Sequence, residues 1–192
     1  MSNWQYATVV PTQRWRSATT VPRDLSLGKV GEQYLVISKP VKELNELNQT
    51  SVDLNNIDAG NFDLSAKTGR LSGPARLTIS ADKIADFSII LSNNMNEKIV
   101  VGYDQSANQY YIDRTASVKV NFEKGFAAKH TVPRFSTSSK INLTLIIDDA
   151  SVELFADDGL SVMTSIFFPN EPYSNISIQS PAHFKIKKLE KQ

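Results

Sequence analysis

Residues 140–169 constrain the fold more than any other part of the chain, because they indicate consecutive β-strands. Apolar side chains recur at every second position of the first run: Ile141, Leu143, Leu145 and Ile147. A period of two places such a row on one face of a strand. The turn at 148–150 then ends this strand, and Val152, Leu154 and Ala156 alternate with polar residues in the next.

A third strand follows the turn Asp157-Asp158-Gly159, whose residues tolerate positive φ. Its predicted alternating row is Val162, Thr164, Ile166 and Phe168, and Pro169 ends it because proline lacks an N–H for the ladder. We predict that this meander is the spine of a sandwich. The residues predicted to be buried between the sheets are Leu143, Leu145, Val152, Leu154 and Ile166.

The rest of the chain shows short strands and one helix. The pattern predicts strands at 34–37, 75–80, 87–91, 99–104, 110–113, 118–122, 176–179 and 184–189. A short helix is predicted after Pro40, because Val41, Leu44 and Leu47 have helical spacing. Many short strands separated by turns are typical of an all-β, antiparallel two-sheet β-sandwich.

Composition limits the classes of partner. The 192 residues carry a formal net charge of +1 and 41% hydrophobic residues, which indicates a globular domain with one core. The basic residues are scattered, so nucleic acid is not an expected partner. The lysines Lys185, Lys187 and Lys188 are interpreted as protection of an edge strand. No run reaches the length of a membrane span, and the N-terminus lacks a signal peptide's features.

The sequence contains no motif of an active site, a metal site or a cofactor site. His130 and His183 are isolated, and no cysteine is present. The acidic residues at 148–149 and 157–158 are expected to cap turns. Glu153 is expected to point away from the Val152/Leu154 face in a structural role, and Asp113 to form an ion pair with Arg114. We therefore predict no catalytic residue, no metal ligand and no cofactor.

The N-terminal segment is the one place where the residues support a binding role as well as they support a structural role. Asn3, Trp4 and Tyr6 form a strand-like run, and Trp15 follows shortly after. Trp and Tyr rings stack on sugar faces, but the same rings can be core aromatics of an incomplete sheet. From the residues alone, both readings stay open.

Several motifs resemble glycoside hydrolase family 32, the fructan-cleaving enzymes. The N-terminal motifs are Asn3-Trp4-Gln5-Tyr6, Trp15-Arg16-Ser17-Ala18 and Pro22-Arg23-Asp24-Leu25. The later ones are Pro40-Val41-Lys42-Glu43-Leu44, Tyr111-Ile112-Asp113-Arg114-Thr115 and Ser151-Val152-Glu153-Leu154-Phe155. The resemblance is greatest to levanases and exo-inulinases, and invertases share the pattern.

This resemblance implies a division of the chain. In the family a five-bladed β-propeller precedes a β-sandwich. By resemblance, residues 1–25 are the last strands of a catalytic propeller that is otherwise missing, 26–50 a linker with a short strand and helix, and 51–192 the sandwich module. Asn3, Trp4, Tyr6 and Trp15 would then lie near the substrate in the complete enzyme.

The family's catalytic motifs do not occur in the sequence. The nucleophile's Asn-Asp-Pro, the stabilising Arg-Asp-Pro and the acid/base Glu-Cys are all absent, and Arg23-Asp24 is followed by Leu25. The resemblance therefore implies that the chain is a non-catalytic C-terminal part of a β-fructosidase and that the propeller is its partner. It also implies that the complete enzyme binds fructan or sucrose and is secreted or periplasmic. A homodimer is left open. The alternative is a free-standing carbohydrate-binding module.

Overall fold

The computed structural model describes residues 5–47, 51–181 and 184–192, and most of its regular secondary structure consists of strands. These are β1 Arg23–Val30, β2 Gln33–Pro40, β3 Val52–Asp58, β4 Asn61–Asp63, β5 Ala75–Ala81, β6 Phe87–Ser92, β7 Lys98–Asp104, β8 Gln109–Asp113, β9 Lys129–Pro133, β10 Ile141–Asp148, β11 Ser151–Ala156, β12 Ser161–Ile166, β13 Asn175–Gln179 and β14 Lys185–Lys191. One α-helix, α1 Leu64–Thr68, and 3₁₀ helices at Lys42–Leu47 and Asp157–Gly159 complete the elements.

Two antiparallel six-stranded sheets form the sandwich, which confirms the predicted fold class. The meander sheet has the strand order β12-β11-β10-β5-β14-β3, and the opposite sheet has the order β4-β13-β6-β7-β8-β9. Strands β1 and β2 pair only with each other, as a separate two-stranded ribbon. The described residues form no propeller blade, and none of their helices is long and apolar enough to cross a membrane.

The core lies between the two sheets and is lined by the rows that the sequence pattern predicts. Leu143 and Leu145 of β10 are at most 1% exposed, and Leu145 is directly opposite Leu154 in the ladder. Val152 is also buried in this core. Of the five residues predicted between the sheets, Ile166 is buried elsewhere, in a second cluster at the end of β12.

The predicted alternation of β12 is wrong in phase. Met163 faces the core, whereas Thr164 is exposed and Val162 is only partly buried. The reason is the pairing register, which places Met163 opposite the inward-facing Leu154. The turn at Asp157–Gly159 sets this register, since all three of its residues have positive φ.

Three further predictions require correction. Residues 118–122 form no strand, and Val118 has a positive φ of 75°. Strand β14, which carries the three lysines, lies between β5 and β3 and is therefore not an edge strand. Helix α1 was not predicted; Asp63 caps it by accepting a 3.0 Å hydrogen bond from the backbone N–H of Ala66. The helix after Pro40 is present as a 3₁₀ helix.

Candidate functional site

The N-terminal segment is fixed to one end of the meander sheet by a second apolar cluster. This edge cluster consists of Tyr6, Val10, Phe126, Ile166 and Phe168, all buried. The ring of Tyr6 meets Phe126 edge-on at 5.2 Å between centroids. Residues 5–9 form a turn rather than the strand-like run that the sequence indicates. The segment thus contacts residues more than a hundred positions away.

A buried arginine organises the edge cluster. Arg114 is 2% exposed, its guanidinium lies 3.8 Å from the centroid of the Phe126 ring, and its Nε donates a 2.6 Å hydrogen bond to the Phe126 carbonyl. The predicted ion pair between Asp113 and Arg114 is wrong. Asp113 instead accepts hydrogen bonds from the backbone N–H and the hydroxyl of Thr115. Arginine suits this place because its planar group stacks on aromatic rings while its N–H groups donate to carbonyls.

Residues 12–16 continue the segment along the edge cluster. Trp15 lies 6.1 Å from the Phe168 ring and remains 36% exposed. Arg16 Nη1 donates to the carbonyls of Val10 and Thr12, and the hydroxyl of Thr12 donates to the Trp15 carbonyl. These local hydrogen bonds hold the indole of Trp15 at the border between the cluster and solvent.

Glu153 fixes the next part of the segment to the outer face of the meander sheet. Its carboxylate accepts a 2.8 Å hydrogen bond from the Val21 N–H and pairs with the guanidinium of Arg23. Arg23 also lies over the ring of Phe155, 5.0 Å from its centroid. Glu153 does point away from Val152 and Leu154, as expected, but it is only 2% exposed because the segment covers it.

The ribbon leaves the sandwich with an apolar face that nothing among the described residues covers. Large side chains exposed by 59–72% follow each other on this face: Leu25, Leu27, Tyr34 and Val36. Leu27 is paired directly with Val36, and alternate residues of a strand share a face, so these side chains are neighbours. At the root of the ribbon, the end that joins the sandwich, the same alternation places Arg23 on this face, where it lies against the meander sheet.

Two polar atoms at the root of the ribbon are buried without a partner. Within the described residues, Arg23 Nε and the hydroxyl of Ser38 make no hydrogen bond. Buried donors without partners cost free energy, and proteins usually satisfy them. Ser38 pairs with Leu25 in the ribbon register, so these atoms lie next to the exposed apolar face.

The strained turn that contains Gly159 packs against the root of the ribbon. A Cβ added to Gly159 would lie 2.4 Å from the Ser38 carbonyl oxygen, so the two backbones are in close contact. The turn is held by a buried network: Arg134 Nη2 donates to Asp157 at 2.9 Å, and the Tyr110 hydroxyl donates to Asp157 at 2.8 Å. Burial, together with the Asp157 charge, raises the pKa of Tyr110. Tyr110 therefore stays a neutral donor.

The buried carboxylates have structural partners and do not form a catalytic pair. Glu153 pairs with Arg23 of the N-terminal segment, and Asp157 pairs with Arg134 inside the protein. The expectation that Asp157 only caps a turn in solvent is therefore wrong. A third, Glu97, accepts hydrogen bonds from Asn93 and Asn170. Although burial alone would raise it, these bonds lower the pKa of Glu97. No group of three or more potential metal ligands gathers among the residues described.

The structure places the four residues predicted near substrate as follows. Tyr6 is buried in the edge cluster, and Trp15 lies at the border of that cluster beside Phe168. Asn3 and Trp4 lie outside the described residues. Their role beside a substrate stays a prediction. The ribbon was not predicted as a unit, although Leu25/Leu27 and Tyr34/Val36 alternate on both sides of Gly31, which is a signal for a hairpin.

A family model with the description "Glycosyl hydrolases family 32 C terminal" matches residues 40–190. A levanase of Bacillus subtilis (strain 168) is 33% identical over 196 residues, which cover 98% of this chain and 29% of the levanase. An extracellular exo-inulinase of Aspergillus awamori is 31% identical, covering 88% of this chain and 33% of the relative. The chain thus spans about a third of the length of these relatives.

Solved structures agree in fold. The crystal structure of exo-inulinase from Aspergillus awamori superimposes with a TM-score of 0.78 at 28% identity, covering 100% of this chain and 38% of that one. A β-fructofuranosidase from Schwanniomyces occidentalis, complexed with fructosyl-erythritol, gives a TM-score of 0.80 at 23% identity, over 99% of this chain and 43% of that one. The second likeness shows the fold.

Proposed function

The chain belongs to glycoside hydrolase family 32, whose C-terminal domain it represents, and from this premise we propose that it is the non-catalytic sandwich of a fructan- or sucrose-cleaving β-fructosidase. In this proposal it stabilises the catalytic propeller by binding it through the ribbon and by holding the N-terminal segment, the end of that propeller, on the sandwich. The observation that carries the proposal is the uncovered apolar face of the ribbon.

The ribbon needs a partner for physical reasons. A two-stranded hairpin is marginally stable in water unless it packs on another surface. Its side chains Leu27 and Tyr34 are 72% and 69% exposed, and contiguous exposed apolar patches mark interaction sites. The unpartnered atoms of Arg23 and Ser38 lie beside this patch.

The partner is the propeller of the same protein. The family relatives are about three times as long as this chain, so a further part of such a protein is available to cover the ribbon. We assign residues 1–25 to the end of the propeller, 26–50 to the linker and 51–192 to the sandwich. Asn3, Trp4, Tyr6 and Trp15 are then close to the substrate in the complete enzyme. Since relatives are named extracellular, a secreted parent is part of the proposal.

The isolated chain is expected to be inactive because its buried carboxyls are held by structural partners. A retaining glycosidase needs two carboxyls about 5–5.5 Å apart across the glycosidic bond. The carboxylate of Glu153 is bonded to Val21 and Arg23, and the carboxylate of Asp157 is bonded to Arg134 and Tyr110. None of these is free to protonate a leaving oxygen.

A reducing-sugar assay tests the catalytic half of the proposal. The purified chain, incubated with levan, inulin and sucrose, should release no fructose above a blank. Release of fructose that disappears in the Glu153→Gln variant would show that the sandwich itself holds an active site. The Glu32→Gln variant, changed at the exposed tip of the ribbon, is the matched control.

A further inference from the structure

We propose that the outer face of the meander sheet carries a binding groove for a neutral fructan chain. The groove has a volume of about 480 Å³ and lies between the sheet and the segment from Lys39 to Asn45. Its size is in the range of ~300–1,000 Å³ that is typical of small-molecule sites. The choice of fructan as the ligand rests on the proposed function.

A polar row forms the floor of the groove. Thr78 of β5 is directly opposite Thr144 of β10 on one side and Glu190 of β14 on the other. The neighbouring residues of these strands face the core, so this row faces outward. Adjacent strands are about 4.8 Å apart, which spaces the three polar groups at a distance that neighbouring hydroxyls of a sugar can reach.

The walls add further hydrogen-bonding groups. Lys39, Lys42 and Asn45 line one side, and Asn142 and Asp158 line the other. In the described part of the chain, the Thr78 and Thr144 hydroxyls make no hydrogen bond, and Lys39 and Lys42 form no ion pair. Their bonding capacity is therefore open to a ligand, since each hydroxyl is both a donor and an acceptor.

The charge of the groove favours a neutral polyol over an anion. The charges of two lysines are matched by the acidic groups of Asp158 and Glu190, which leaves Arg76 as the one additional cation of the groove lining. Arg76 is already occupied by hydrogen bonds to Asn45 and Gln192. An anion site needs cations that are not paired with acidic groups and that bind in a bidentate or clustered geometry. The hydroxyls of a sugar can instead accept hydrogen bonds from cations and donate hydrogen bonds to carboxylates, so one sugar can use both kinds of group.

An NMR titration tests the groove directly. The ¹⁵N-labelled chain is titrated with short levan-type and inulin-type oligosaccharides, and backbone shifts are expected at residues 76–80, 142–144 and 39–45. The double variant Thr78→Val/Thr144→Val should bind about tenfold more weakly, because two hydrogen bonds of ordinary strength are lost. The matched control is Thr131→Val, an exposed threonine of β9 in the opposite sheet, which should bind like the parent chain.

Several results would overturn the inference. These are the absence of shifts in the groove, an equal loss of binding in the control, or tighter binding of inorganic phosphate than of the saccharide. Preferential binding of a glucan oligosaccharide would overturn the assignment to fructan. The proposed function fails by a different result, fructose release by the chain alone, so the two failures are distinguishable.

Discussion

The meander and the ribbon are both antiparallel strands joined by short turns, yet they differ in what covers their apolar faces. In the meander, Leu145 and Leu154 are opposite each other and closed off by the second sheet. In the ribbon, Leu27 and Val36 are opposite each other and face solvent. The sandwich therefore buries its own apolar faces, whereas the ribbon leaves one face exposed, which we propose is half of an interface.

The largest effect is expected beneath the ribbon, at the buried ion pair. Arg134→Met should cost about 3–5 kcal/mol of unfolding free energy, because Asp157 is left as an unpaired buried charge. Chemical denaturation measures this loss. Adding Asp157→Asn should recover much of it by removing the stranded charge, and the exposed Lys140→Met is the control. A loss no greater than in that control would show that the turn does not depend on the pair.

The next effect separates the two regions directly. Leu145→Ala should lower the unfolding free energy by about 2–5 kcal/mol, since it opens a cavity in the closed core. Leu27→Ala, the same change on the ribbon, should alter it by no more than about 0.5 kcal/mol, because this side chain is already 72% exposed. Equal costs in urea denaturation would remove the contrast between the regions.

The sequence predicts a feature of this fold well only where the interacting residues are close together along the chain. The meander core follows from alternation within a few residues, and Leu143 and Leu145 are buried as predicted. The phase of β12 does not follow, because it depends on three positive-φ residues in one turn. Glu153 is covered by residues that are more than a hundred positions away. A local pattern contains no information about such a cover.

A smaller effect is expected where the segment meets the sheet. Glu153→Gln keeps the shape but removes the charge that binds Arg23, and a hydrogen bond to a charged group contributes about 1.5–3 kcal/mol. Hydrogen exchange at the Val21 amide should therefore accelerate by roughly tenfold or more, since ~1.4 kcal/mol is a factor of ten. Glu32→Gln is the control. Unchanged protection at Val21 would mean that Glu153 does not hold the segment.

The smallest effect concerns pH. Because the pKa of Glu97 is lowered in the folded state, this group contributes stability above its unfolded pKa, and the contribution is lost as pH falls through the folded pKa. Thermal unfolding followed from neutral to acid pH should show a shallower acid-side loss in Glu97→Gln than in the parent chain. Parallel curves would contradict the role assigned to its hydrogen bonds with Asn93 and Asn170.

Whether the ribbon binds a catalytic domain can be measured in a hybrid protein. The part of the Bacillus subtilis levanase that precedes the segment matched by this chain is joined to residue 1, and the temperature at which levan hydrolysis is lost is measured. Leu27→Asp should lower this temperature, because a charge enters the apolar interface, whereas Ser26→Asp, on the opposite face of the same strand, should leave it unchanged. Equal inactivation temperatures for the two variants would show that this face of the ribbon does not bind the catalytic domain.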